Sequence, residues 1–134
     1  MRALEAMPAV RVVATPEALD RAPWAEQSIV LRLAPDDAFV IGAPDGALGD
    51  GSATSLADEH AIVEPETGFV GAWLTPDELG ELVDTHIEWP LPPARPALAQ
   101  GLVAGVPAKL WLEDERSLLL CAAAYAHELA ERLG

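Results

Sequence analysis

Apolar and polar residues alternate along much of this chain with the two-residue period of β-strands, and they change over to a helical period in a few places. Ala9 to Ala14 reads as a short strand. Thr15-Pro16-Glu17 then offers a side-chain cap followed by proline at the first helical position, where no needed donor is lost, so a short helix is predicted. Ser28 to Leu33 places Ile29, Leu31 and Leu33 on one face, and Phe39-Val40-Ile41 follows the turn-forming Pro35-Asp36-Asp37, which predicts a hairpin. Strands resume at Ala61-Ile62-Val63 and at Gly68 to Leu74, with a turn expected at Pro65-Glu66-Thr67.

The strongest local signal lies at Thr75-Pro76-Asp77-Glu78. It combines a capping threonine, proline at the first helical position and glutamate at the third, with Leu74 and Leu79 spaced to close over the helix start. Leu79, Leu82, Val83 and His86 or Ile87 share one helical face, and Trp89-Pro90 ends the run. Pro90, Pro92, Pro93 and Pro96 forbid helix or central strand, so residues 89–97 are read as an extended Pro-rich connector. Leu98 to Val103 and Val106 to Leu112 predict two strands joined near Gly105, with Pro107 favouring an edge or bulge. Leu118 to Cys121 predicts a last strand. Ala122, Tyr125, Ala126, Leu129 and Leu133 then form the apolar face of a final helix.

Between these elements, residues 43–58 are rich in Gly, Asp, Ser and Ala, with Leu48 and Leu56 as the only large apolar side chains. Such a composition recovers little ordering entropy by burial, so a mobile acidic loop is expected. At 134 residues the chain matches the size of one α+β domain with one core.

Charge narrows the functions open to it. Twenty-two acidic residues against eight basic ones give a formal charge of −14. That surface repels a phosphate backbone and an anionic membrane, so neither nucleic acid nor membrane is expected as a partner. The first residues lack the apolar run of a signal peptide, and a cytoplasmic location is expected. Lys109 is the one lysine among the basic residues, which together with abundant Ala, Gly and Pro suggests a GC-rich bacterial origin.

The candidate chemistry is sparse. Asp45, Asp50, Asp58, Glu59 and His60 are potential hard-cation ligands, but their spacing does not follow the alternating oxygen ligands of an EF-hand, and no metal site is assigned. His60, His86 and His127 lack paired ligand spacing. Ser28, Ser52, Ser55 and Ser117 include no nucleophile elbow, and the glycines form no phosphate-binding loop, so no catalytic residue is assigned. Cys121 sits in an apolar run and reads as a buried hydrophobe. Trp73, Trp89 and Trp111 stand out in a chain poor in aromatics. Trp89 and Trp111 are candidate ligand or interface residues, with Arg95 as the basic group best placed to meet a carboxylate.

A family resemblance rests on three stretches. They are Glu88-Trp89-Pro90-Leu91-Pro92; Ala99-Gln100-Gly101-Leu102-Val103-Ala104-Gly105-Val106-Pro107-Ala108-Lys109-Leu110; and Leu118-Leu119-Leu120-Cys121 with Ala124-Tyr125-Ala126-His127-Glu128-Leu129. Together they resemble the C-terminal part of the sarcosine oxidase gamma subunit, which belongs with the aminomethyltransferase (glycine cleavage T protein) and YgfZ-like folds. Leu31 to Gly42, with Leu33-Ala34-Pro35-Asp36-Asp37-Ala38-Phe39-Val40, is similar to that family's earlier hairpin. The resemblance implies a ferredoxin-like βαββαβ-type lobe with an antiparallel sheet and helices on one face, preceded here by an N-terminal β-rich extension. It also implies a noncatalytic accessory or assembly domain with a protein partner or as a homo-oligomer. A small-molecule-binding or one-carbon enzyme role is the alternative, with tetrahydrofolate possible through the resemblance alone; no cofactor is otherwise predicted.

Overall fold

In the computed structural model, which describes residues 3–42 and 56–134, the alternating segments pair into two antiparallel sheets. The elements in chain order are β1 (Glu5–Ala6), β2 (Ala9–Val13), α1 (Pro16–Asp20), β3 (Ile29–Ala34), β4 (Asp37–Ile41), β5 (Ile62–Glu66), β6 (Phe69–Leu74), α2 (Pro76–His86), β7 (Ala97–Val103), β8 (Val106–Leu112), β9 (Ser117–Ala122), a 3-10 turn (Ala123–Tyr125) and α3 (Ala126–Leu133). The fold is α+β with antiparallel sheets and a β-rich N-terminal part. The chain divides into two compact units, Pro8–Thr67 and Met1–Met7 with Gly68–Gly134, and each unit has its own buried cluster where the length suggested one core.

In the N-terminal unit the strands run in the order β3-β4-β2-β5. Val12, Ala38 and Val40 project from one face of this sheet onto Ala18 and Leu19 of α1, with Leu56 buried among them. Thr15 caps α1 by accepting from the Ala18 N–H. Arg11 crosses the strands: its guanidinium donates through two nitrogens to Asp37, and through a third to Glu66 at 3.0 Å. Pro65 lies inside β5 and not in a turn; on an edge strand its missing N–H costs no ladder bond. The mobile stretch expected at residues 43–58 lies outside the described residues up to Ser55. Its end is packed: Leu56 is buried, and the Asp58 carboxylate accepts from the N–H groups of Thr15 and His60. Those two donors hold the Asp58 carboxyl below the ordinary carboxylate value, the His60 N–H having the larger effect.

The C-terminal unit carries a sheet of order β1-β6-β9-β8-β7. Ala72 and Leu74 of β6, Leu119 and Cys121 of β9, Val106 to Leu112 at every second residue of β8, and Ala99 and Val103 of β7 all face one side. There Leu82 of α2 and Leu129 of α3 close the core, so both helices lie on one face. Each buried leucine contributes roughly 1.5–3 kcal/mol relative to exposure. The unit runs β6-α2-β7-β8-β9-α3. Its third and fourth strands are joined by a tight turn in which the Glu113 N–H donates to the Arg116 carbonyl, so the second helix follows the fourth strand. The expected helical face starting at Ala122 begins later, because residues 123–125 wind as a 3-10 turn and leave Tyr125 41% exposed. Burial raises the Cys121 thiol pKa, consistent with a structural side chain.

Candidate functional site

A groove in the C-terminal unit collects the surface features that the sequence singles out around Trp89. It begins in the cleft between α2 and α3, a depression of about 360 Å³ whose lining includes Glu78, Glu81, Leu82 and Leu133. At Thr85 and His86 this cleft meets a second depression of about 380 Å³, lined also by Glu88, Trp89, Leu102 and the Ala104-Gly105 turn.

Local chemistry explains each wall. The first wall, α2, is held at its start by a complete capping box: the Thr75 side chain accepts from the Glu78 N–H, and the Glu78 carboxylate accepts from the Thr75 N–H. With Leu79, Leu82 and Val83 turned to the core, Glu81 and Thr85 are left on the outer side. Trp89 leaves the Pro-rich connector and lies on the sheet, its indole N–H donating to the Leu102 carbonyl at 2.8 Å. Gly101 makes this possible, since a Cβ there would sit 2.6 Å from the indole ring. Leu102 contributes its carbonyl here, while its side chain, 54% exposed, alternates to the opposite face of the sheet with Leu98.

The β7–β8 turn has positive φ at both Ala104 and Gly105, the backbone of a tight two-residue hairpin loop. It is pinned from two sides. The Ala104 N–H donates to the carbonyl of His86, one of the orphan acceptors at the end of α2, and the Ala104 carbonyl accepts from Arg132 of α3 at 2.8 Å.

The electrostatics of the groove have one sign. Glu78, Glu81 and Glu88 line it, no lysine or arginine does, and α2 adds Asp77 and Asp84 without a basic residue other than His86. Arg132, the nearby cation, is engaged by Glu128 and the Ala104 carbonyl. The carbonyl end of α2, which carries partial negative charge, opens on the same place.

The three candidate residues fall in different surroundings. Trp89 is in the groove. Trp111 projects from the sheet face opposite the helices, where it neighbours Leu118 in register and its indole N–H donates to Glu113 at 2.8 Å. Glu113 also accepts from Arg116, whose guanidinium stacks 3.8 Å from the centre of the Trp73 ring. Arg95 donates from one nitrogen to the carbonyls of Pro92 and Ala94, bracing the connector. The structure places Trp89 beside Thr85, His86, Glu88 and the Leu102 carbonyl, a grouping that the sequence pattern did not bring together. The signal available for that contact was Gly101, because glycine inside a strand marks the close approach of another group.

Among the described residues, no three His, Cys, Asp or Glu side chains are grouped to hold a metal ion, and no helix is long and apolar enough to cross a membrane. His60 lies beside Glu59 and His127 beside Glu131, both pairs on exposed side chains.

The chain thus presents an α+β fold with an acidic, partly apolar groove. No family model and no curated protein matches it. Among solved structures, it is similar to a chain of the heterotetrameric sarcosine oxidase from Corynebacterium sp. U-96 in complex with pyrrole 2-carboxylate. The TM-score is 0.69, with 16% identity over 97% of this chain and 79% of that one. At that identity the likeness establishes a sarcosine oxidase-like fold.

Proposed function

We propose that this chain is a noncatalytic accessory subunit that joins a larger enzyme assembly, in the manner of the sarcosine oxidase gamma subunit. The observation that carries the reading is the fold, which follows a chain of a heterotetrameric enzyme over 97% of this one. The groove supports it. Trp89 and Leu133 present apolar area beside the carboxylates of Glu81 and Glu88, a mixture of the kind protein interfaces use. Trp111 is a second interface candidate, its indole braced by Glu113. The test is to tag the chain in its native cells, purify it gently, and determine the composition and mass of what is recovered. A stoichiometric complex with enzyme subunits is expected. Recovery of the lone chain overturns the reading, and a homo-oligomer without other subunits replaces it.

A further inference from the structure

We propose that the groove over the C-terminal end of α2 receives a cationic, amphipathic segment of a partner protein. The existence of a partner rests on the accessory-subunit reading, whereas the chemistry of the groove is open to an independent test.

Charge complementarity identifies the occupant. The floor is apolar, formed by Leu82, Leu133 and Trp89. Carboxylates of Glu78 and Glu81 flank one part and Glu88 the other, while the end of the α2 dipole adds further negative potential. Lysine and arginine are the side chains that satisfy both demands, because their alkyl stems lie along apolar surface while their charged heads reach acceptors. A segment carrying leucines on one face and Lys or Arg along its borders would cover Trp89 and Leu133 and neutralise the rim. A second copy of this chain suits the groove poorly: at −14 it brings like charge to an acidic wall. The same net charge speeds the encounter with a basic partner.

The probe is a synthetic amphipathic helix of lysine and leucine, titrated into the isotopically labelled full chain and followed by amide chemical shifts, with a glutamate/leucine helix as control. Saturable shifts are expected at Thr85, His86, Leu102, Gly105 and the Trp89 indole, and the control helix should produce none. Glu81→Lys with Glu88→Lys should weaken binding about ten-fold, and added salt should weaken it in the wild type. Asp114→Lys, on the exposed β8–β9 turn, should change it little. Glu81→Gln with Glu88→Gln serves as a milder pair should the lysine variant misfold.

Shifts spread evenly over the acidic surface, equal loss with Asp114→Lys, or unchanged affinity in both Glu81/Glu88 pairs overturns the proposal. Calcium producing the same saturable shifts without peptide would reassign the groove to a cation. A native complex that survives the Glu81/Glu88 changes removes the groove and leaves the accessory reading. Peptide binding at the groove in a chain that recovers no native partner does the reverse.

Discussion

The two units use the same material, short antiparallel strands with helices on one face, but stabilise it differently. The C-terminal unit concentrates leucine: Leu74, Leu110, Leu112, Leu119 and Leu129 are each at most 1% exposed, under two helices of which one has a complete capping box. The N-terminal unit has a smaller cluster rich in valine and alanine, a helix of five residues, and an arginine linking two carboxylates across its strands. Apolar volume should therefore dominate the first unit, while polar cross-links should matter more in the second.

The largest expected effect is in the leucine core. Leu110, fully buried in a central strand, should cost about 2–5 kcal/mol when changed to alanine, through lost transfer energy and the cavity left behind. Residue-resolved hydrogen exchange would locate the loss in the C-terminal unit. An equal loss of protection throughout residues 8–67 would break the comparison by showing that the two units open together.

Gly101→Leu comes next. Its side chain meets the Trp89 ring, and overpacking of this kind costs roughly 1–3 kcal/mol. Denaturation, together with a moved Trp89 indole resonance, would report it, while an unmoved indole would contradict the contact.

In the N-terminal unit, Arg11→Met removes the link between Asp37 and Glu66. The ion pairs hold the guanidinium pKa above its ordinary value, with the Asp37 hydrogen bond the largest cause. Because the groups are partly exposed, the expected loss is on the order of 1 kcal/mol and should shrink in high salt. A salt-independent loss would point to packing of the arginine stem instead.

The smallest effect is a pH dependence at Asp58. Its carboxyl is held below the ordinary value of 3.8, so its stabilising effect is present above that value and fades as pH falls through the lower, folded-state value. Exchange protection at the Thr15 and His60 amides should weaken over that acid range, and Asp58→Asn should remove this part of the pH response. Unaltered protection at both amides would contradict the two hydrogen bonds.

Much of this organisation was legible in the sequence, since local rules acted without competition. The Thr75-Pro76-Asp77-Glu78 cap, the β3–β4 hairpin around Pro35-Asp36-Asp37 and the β7–β8 strands all form where pattern and turn chemistry place them. The departures come from long-range packing. Leu56, in a stretch that reads as loop, is held by a core whose other members lie far away in sequence. Pro65 stays in a strand because β5 is an edge, and Pro107 fits in β8 because the pairing with β9 starts only at Lys109. The candidate site was half legible. Trp89 was visible as an unusual residue, but its neighbours Leu102 and Thr85 come from a strand and a helix whose juxtaposition no local pattern encodes.

The claim that this chain serves a larger assembly is tested most directly by light scattering on the full chain purified under native conditions from its own cells, with the subunits identified by mass spectrometry. The expected result is a stoichiometric complex with enzyme subunits, well above the 14.1 kDa of the chain itself. A single species at 14.1 kDa with no companion subunit would contradict it.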